Sequence, residues 1–504
     1  MPSEPGGAEG APTHSPIGRF FRHSGVYVLG NVLNRAGVFL LLPAYTKYLS
    51  VADYGALELF STVASVVAGV LSIGLAHATL RFYFEYAEDR ARRAVVSTNL
   101  IASTVIGVAG MAVISGIEGP LMAYLFPGNP YPHGLWLVLA TLVLELSSQV
   151  CLAYLRALEL SSFYVAVSLA KLISQMTLNI LLLSVYGAGV QGVLLGNLIA
   201  VALGWLAVAA FTVRRCGLQF EMDKLVPVLR YSFPFLLATL VAIVSGNIDR
   251  LYVSDLLSLE ALGLYSLALK FSRLTSDLIG EPFGRAYGAF RFTVMDRTDA
   301  AEIQARIVRY LAVFLAVAGL GIVFVAREAL VLMADAKFWP AAGMVPPLVL
   351  AGGLQVLTYP LQTGFLYRKA TRHVAQIGLL QAVLTTGGGF ALIKAFGLAG
   401  ACGASILVSL AIMIVTHRAS QRYFPVHYEY RRLGWLCGIT AAFYSASLPL
   451  DQLQFGTAVA AKLLLGCAFV GVLLSSPVFE AEEVARGRSV LRKGWAALRA
   501  GGAS

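Results

Sequence analysis

The chain has 504 residues, of which 58% are hydrophobic and only 13% charged, with a net charge of +11 and a mean hydropathy of +0.74. That balance excludes an ordinary soluble domain. A charge of this sign would suggest nucleic acid in a soluble protein. Here the basic residues sit at the ends of apolar stretches (Arg90, Arg92, Arg93; Arg368, Lys369, Arg372; Arg418, Arg422, Arg431, Arg432), where topology and anionic lipid account for them, so no nucleic-acid partner is expected.

Taken in chain order, residues 2–16 are rich in Gly, Pro, Ala and Ser, a composition expected to be disordered. No basic segment and small-residue cleavage site precede a short apolar core, so the first apolar span is expected to be retained. Fourteen apolar spans follow, at 24–49, 55–77, 94–115, 135–157, 163–184, 190–213, 231–256, 262–285, 308–333, 344–367, 374–396, 398–419, 434–449 and 456–474. A helix needs about 20 apolar residues to cross a hydrocarbon core, and most of these reach that length. Arg and Lys fall almost entirely on every second connection, the asymmetry of a multi-pass protein of the bacterial cytoplasmic (inner) membrane with both termini inside. The fold expected is an all-α polytopic membrane protein of 14 transmembrane helices.

The chain repeats itself. SVADYGALEL (50–59) follows span 1 and SLEALGLYSL (258–267) follows span 7, an offset of 208. YGAGVQG (186–192) follows span 5 and FGLAGACG (396–403) follows span 11, with Gly189 and Gly192 matching Gly400 and Gly403 at an offset of 211. Six helices is an even number, so both copies enter the membrane from the same side and are related by an axis along its normal. The expected organisation is a cytoplasmic tail (1–23), an N-lobe (24–215, helices 1–6), a C-lobe (216–419, helices 7–12), two extra helices (420–475) and a basic cytoplasmic tail (476–504). In that tail Val484, Leu491, Trp495 and Leu498 share one side among arginines and lysines, the pattern of a helix lying on the inner leaflet. Two lobes around a cleft suit alternating access, and Pro43, Pro234, Pro282, Pro346, Pro347 and Pro360 stand where they can kink spans.

Charges inside a membrane avoid lipid and mark pathways or pairs. At 100° per residue, Lys270, Arg273, Asp277, Glu281 and Arg285 fall within about 120° of arc on span 8. That stripe reads equally as an i,i+4 salt-bridge ladder or as a substrate surface. Asn31 and Arg35 are one turn apart in span 1; Ser168, Lys171, Ser174 and Gln175 share a face of span 5; Thr141, Glu145, Gln149 and Arg156 share one of span 4. In span 7, Asn247 and Arg250 point one way while Asp249 projects about 100° from Arg250, so Asp249 needs a partner on a neighbouring helix. By depth, Arg35, Lys171, Lys270 and Arg273 occupy the middle slab against Glu145 and Asp277, with Glu58, Asp249 and Arg250 nearer the outer side. This modest cationic bias favours an anionic substrate such as a phosphate or diphosphate.

Five scattered cysteines show no CxxC or Cys/His spacing, so neither a disulfide framework nor a zinc site is expected, and they read as small buried hydrophobes. The seven histidines form no HExxH, and nothing matches GxxxxGK[ST] or GxGxxG at a strand–helix junction. The longest outer connection, 116–134, offers Glu118 and His133 but no nucleophile or acidic pair. No cofactor, metal or enzymatic activity is expected.

NRAGVFLLLPAYTKYLSVADYGALEL (34–59) and GNIDRLYVSDLLSLEALGLYSLALK (246–270) resemble the polysaccharide (Wzx-type) flippases, of the superfamily that also holds lipid II flippases and MATE multidrug exporters. The likeness covers most of residues 20–430. It rests on Tyr54–Gly55, Asp249, Gly263 with Tyr265, and Lys270; Leu49–Ser50 departs from the Leu–Gly common before the first turn. The resemblance implies two MOP/MATE-like six-helix lobes that move a lipid-diphosphate-linked oligosaccharide from the inner to the outer leaflet for surface polysaccharide synthesis. It implies ion-gradient coupling, a polyprenyl-diphosphate-linked glycan, membrane lipids and polysaccharide assembly proteins as partners, and a lipid-tail groove beside spans 13 and 14. The competing readings are a lipid II-type flippase, a MATE-like exporter, against which the central Arg/Lys excess argues, and a membrane glycan polymerase or ligase, disfavoured by short outer loops. The expected substrate-binding residues are Arg35, Lys171, Arg250, Lys270 and Arg273. Glu145, Asp249 and Asp277 are the coupling candidates. Asp277 lies one turn from Arg273, whereas Glu145 has no basic neighbour within two turns except Arg156, which makes Glu145 the expected proton carrier.

Overall fold

The computed structural model describes residues 37, 39–128, 130–480 and 483, with backbone only at 234, 235, 237, 238 and 289. Arg35, Asn31, the N-terminal tail and the expected amphipathic helix beyond 483 lie outside the described residues. Every regular element among those described is helical. Ten helices or helix pairs are long and apolar enough to cross a membrane, and they hold eleven of the fourteen expected spans. One of the ten, Arg372–Gln421, holds the spans expected at 374–396 and 398–419.

Contacts divide the chain into two compact units, Met1–Leu49 with Phe60–Ile243 and Ser50–Leu59 with Val244–Ser504. The first unit contains α1 (Leu42–Tyr48), most of α2 (Val51–Leu71), α3 (Leu75–Glu85), α4 (Asp89–Ser115), α5 (Glu118–Leu125), α6 (Gly134–Ala157), α7 (Ser161–Ser184), α8 (Gly189–Cys216) and α9 (Met222–Ser245). Its core joins Leu75, Val95, Val150, Leu155, Val208 and Val228 from five of these helices. Polar residues inside it bond each other: Gln175 donates to Asn197 at 2.8 Å, and Asn179 donates to the Tyr45 hydroxyl at 2.7 Å.

The second unit contains the first turns of α2, then α10 (Ile248–Leu256), α11 (Leu259–Thr275), a π-helical turn (Ser276–Gly280), α12 (Glu281–Val294), α13 (Ala300–Met333), α14 (Val345–Leu361), α15 (Thr363–Tyr367), α16 (Arg372–Val383), a second π-helical turn (Leu384–Gly388), α17 (Gly389–Gln421), α18 (Tyr430–Ser447) and α19 (Phe455–Ser475). The last two helices pack on α13 through Phe324, Leu436, Phe469 and Leu473. Buried Lys462 of α19 bonds Glu328 of α13 and Asp451 at 2.6 Å each.

The first repeated segment packs against the second. A Cβ on Gly55 would overlap the Leu259 carbonyl oxygen and lie 3.0 Å from the Gly263 nitrogen. Conversely, a Cβ on Gly263 would overlap the Val51 carbonyl oxygen and lie 3.2 Å from the Gly55 nitrogen. Val51 and Leu259, like Gly55 and Gly263, are 208 residues apart, so the crossing is symmetric. Small residues let two helix backbones approach this closely in a membrane, and here only glycine fits. Gly55→Ala is expected to cost roughly 1–3 kcal/mol or more by overpacking against backbone that cannot rotate away. Thermal unfolding in detergent would measure it, and an unchanged midpoint would show the crossing to be slack. At the other repeat match the backbone selects a neighbouring glycine pair. Gly187 (φ 59) and Gly397 (φ 60) both take left-handed conformations, an offset of 210, and Gly397 forms the break between spans 11 and 12.

The π turn at Ser276–Gly280 corrects the stripe expected on span 8. Pro282, in the first turn of α12, has no N–H to bond the Leu278 carbonyl, and the chain widens just before it into five-residue hydrogen bonding. Angles counted at 100° per residue therefore lose phase beyond Ser276. Past the turn, Glu281 and Arg285 bond each other at 2.8 Å in exposed positions, whereas Lys270 before it is tied to Glu58.

Candidate functional site: charged clusters in each unit

In the second unit the charges gather around Glu58, on the part of α2 that packs beside α11. Lys270 Nζ lies 2.7 Å from Glu58 Oε1 and donates to the Tyr54 hydroxyl at 2.5 Å, while Arg250 lies 3.8 Å from Glu58 Oε2. Tyr54 and Arg250 are buried, and Glu58 and Lys270 are 13% and 22% exposed. Phe338 meets the Tyr54 ring edge-on at 5.5 Å, so the phenol is fixed from behind as its hydroxyl holds the ammonium. Asp249 finds its partner on the neighbouring helix, as its position on α10 requires. The buried Tyr265 hydroxyl donates to Asp249 Oδ2 at 2.7 Å, leaving Oδ1 buried without a hydrogen bond.

Beside this network is a cavity of about 210 Å³ between α10, α11, α14, α16 and α17. Both π turns reach its wall, through Ser276 and Thr385, with Gln355, Gln381 and Ser405 as further polar lining. Widened turns of this kind re-aim side chains and recur at functional sites. The charged groups of the lining are Arg250, Arg273 and Asp249, two cations against one carboxylate. Arg273 is exposed, and among the described residues no carboxylate oxygen lies within 4 Å of its guanidinium. Asp277 opens the π turn just beyond it.

In the first unit a second cavity of about 210 Å³ is enclosed by α6, α7 and α8. Lys171 on α7 donates to Glu145 on α6 at 2.7 Å. This corrects the expectation that Glu145 has no basic partner nearer than Arg156. The partner comes from the next helix, 26 residues on, where periodicity along one helix cannot show it.

Of the expected residues, Arg250, Lys270, Arg273, Asp249 and Asp277 thus lie in the second unit, Lys171 and Glu145 in the first, and Arg35 outside the described residues. Sequence reasoning placed Glu58 and Tyr54 without giving them roles at the site. The signal for both was present in the Tyr54–Gly55 motif and its repeat at Gly263, because a symmetric glycine crossing brings the start of α2 against α11.

The family described as "Polysaccharide biosynthesis protein" matches residues 46–342. The "Lsg locus putative protein 1" of Haemophilus influenzae is 21% identical over 267 residues, 52% of this chain and 63% of that protein, so the match spans less than two thirds of that relative's length. Among solved structures, the lipid II flippase MurJ in an inward closed conformation superposes with a TM-score of 0.71 at 12% identity, covering 90% of this chain and 99% of that one. An inward-facing multidrug resistance MATE family transporter of the MOP superfamily gives 0.59 at 15% identity, covering 80% and 96%. A MOP superfamily transporter from Pyrococcus furiosus, whose title describes a binding pocket of reverse polarity, gives 0.55 at 14% identity over 84% and 97%. At these identities the likeness is one of fold.

Proposed function

Because this chain belongs to the polysaccharide biosynthesis protein family, we propose that it is a flippase that carries a lipid-diphosphate-linked oligosaccharide from the inner to the outer leaflet of the cytoplasmic membrane by alternating access, coupled to an ion gradient. The observation that carries this reading is Arg273, a cation presented to a cavity between α10, α11, α14, α16 and α17, with no carboxylate in ion-pairing reach among the described residues. Glu58, Asp249 and Asp277 act on it only from beyond ion-pairing distance, so the guanidinium stays open to an anion, and a diphosphate or an acidic sugar supplies one. A guanidinium holds either through two parallel hydrogen bonds. A cation exporter would be served by the opposite balance. The polyprenyl-linked glycan, membrane lipids and the polysaccharide assembly proteins are the partners this reading requires.

For coupling, the geometry favours Asp249 over Glu145. Asp249 Oδ1 is buried and open, whereas Glu145 is held by Lys171. Purified protein in liposomes carrying a fluorescent polyprenyl-diphosphate oligosaccharide tests both points, with flipping read as loss of signal to an impermeant reductant. Flipping should exceed that of empty vesicles and rise further under an imposed proton or sodium gradient. Asp249→Asn should lose that acceleration, and Glu145→Gln should retain it. A rate equal to that of empty vesicles sinks the flippase reading. Acceleration of lipid II alone favours the lipid II-type alternative, and acceleration retained in Asp249→Asn removes Asp249 from coupling.

A further inference from the structure

We propose that the cavity of the first unit, between α6, α7 and α8, is a binding pocket for a single acidic sugar residue, one hexose ring carrying a carboxylate. The proposal rests on the flippase reading only for where such a sugar comes from, namely the glycan being carried. The pocket itself stands on its own geometry.

At about 210 Å³ the cavity is far larger than the ~10–15 Å³ that admits one water. Its lining combines Glu145, Gln149, Arg156, Tyr164, Lys171 and Trp205. Packing within the unit leaves several of these groups open. The Trp205 indole N–H is buried without an acceptor. The side chains of Gln149 and Arg156 are exposed and have no hydrogen-bond or ion-pair partner among the described residues. A buried donor left unmade costs about 1–3 kcal/mol, and the indole that carries this one lines the cavity. Arg156 stands about 16 Å along α6 from Glu145, at a rise of 1.5 Å per residue. Long side chains on a helix lean toward its N-terminus, the direction of Glu145 from Arg156.

The charge arithmetic selects the ligand. Arg156 and Lys171 against Glu145 leave one positive charge, which suits a monoanion. A diphosphate would bring at least two negative charges up to the Glu145 carboxylate, and like charges at short range repel. A sugar acid offers one carboxylate for bidentate pairing with Arg156. Its hydroxyls both donate and accept, matching the Glu145 oxygens and the Gln149 amide, and its C–H face suits the apolar body of the Trp205 indole. A neutral sugar would leave the excess cation unmatched.

The test uses the full chain in lipid nanodiscs with its other four tryptophans replaced (Trp136→Phe, Trp339→Phe, Trp435→Phe, Trp495→Phe), so that emission reports on Trp205. Titration with glucuronate should give a saturable change. Glucose should bind at least roughly tenfold more weakly, inorganic diphosphate should give no saturable change, and Arg156→Ala should weaken glucuronate by roughly tenfold or more, as loss of one charge-assisted contact predicts. Equilibrium binding of radiolabelled glucuronate to the unsubstituted chain and to Arg156→Ala gives the same comparison if the four-fold variant does not fold. Absence of saturation by glucuronate, diphosphate binding as tightly as glucuronate, or unchanged affinity in Arg156→Ala would each overturn the proposal. Free sugar binds without translocation, so the two readings fail separately. A chain that binds glucuronate here yet flips no lipid-linked glycan refutes the flippase and leaves the pocket. One that flips the glycan with Arg156→Ala binding unaltered refutes the pocket alone.

Discussion

Lys270→Met is expected to destabilise the protein by about 3–5 kcal/mol, the range for removing one partner of a buried ion pair. The ammonium it deletes lies 2.7 Å from Glu58 and 2.5 Å from the Tyr54 hydroxyl. Its loss leaves Glu58 largely buried, with Arg250 3.8 Å away. Glu58→Gln alone leaves Lys270 in the same position and should be comparably damaging. The double variant removes both charges together, and replacing a buried pair by neutral groups is often close to neutral, so most of the loss should be recovered. Unfolding in mixed detergent, run as a double-mutant cycle, measures the coupling. Additive losses would show that the two charges do not depend on each other, and that Lys270 is held by Tyr54 alone. The expectation separates Lys270 from the cations offered to substrate. Lys270 shares their depth and residue type, and a coupled loss in this cycle would assign it a structural task beside Glu58.

That regrouping shows where sequence reading reaches and where it stops. The helices were legible because a hydrocarbon core demands about 20 apolar residues per crossing, a requirement written continuously along the chain. The repeat was legible in the same way, and Gly55 and Gly263, matched at an offset of 208, prove to pack on each other. The i,i+4 pair Glu281–Arg285 was legible, but pairings between charges on different helices were not. Glu58 and Lys270 are 212 residues apart and Glu145 and Lys171 are 26 apart, and the angular period of one helix is silent about what a different helix brings opposite. The stripe on span 8 failed for another reason. Its five residues share an arc only while the helix keeps 3.6 residues per turn, and the π turn before Pro282 breaks that period between Arg273 and Glu281. Asp249 lay between these cases. Its angle from Arg250 required a partner elsewhere, yet only the fold shows that Tyr265 supplies it.

Arg273→Ala is expected to abolish transport while the protein keeps its abundance and its unfolding midpoint, the reverse of the outcome at Lys270. Both are basic residues of α11 less than one turn apart, so any general effect of removing a positive charge from this helix would appear in both. Their surroundings differ. Lys270 is held by a carboxylate and a phenol that remain behind when it goes, whereas Arg273 is exposed to the cavity with no carboxylate within 4 Å among the described residues. Deleting Arg273 orphans no hydrogen-bond or ion-pair partner among the described residues. What is lost is the excess positive charge of a lining that otherwise holds Arg250 and Asp249, leaving the wall neutral overall toward an anionic substrate. Arg273→Lys should restore part of the rate, because the charge returns without the planar fork that grips a phosphate or carboxylate through two hydrogen bonds. The ordering wild type, lysine, alanine should appear in flipping rates measured in liposomes at matched protein content, and surface polysaccharide in cells should follow it. Loss of abundance in Arg273→Ala, or a lysine variant as inactive as alanine, would place Arg273 with the structural charges and leave the substrate's anion to another cation.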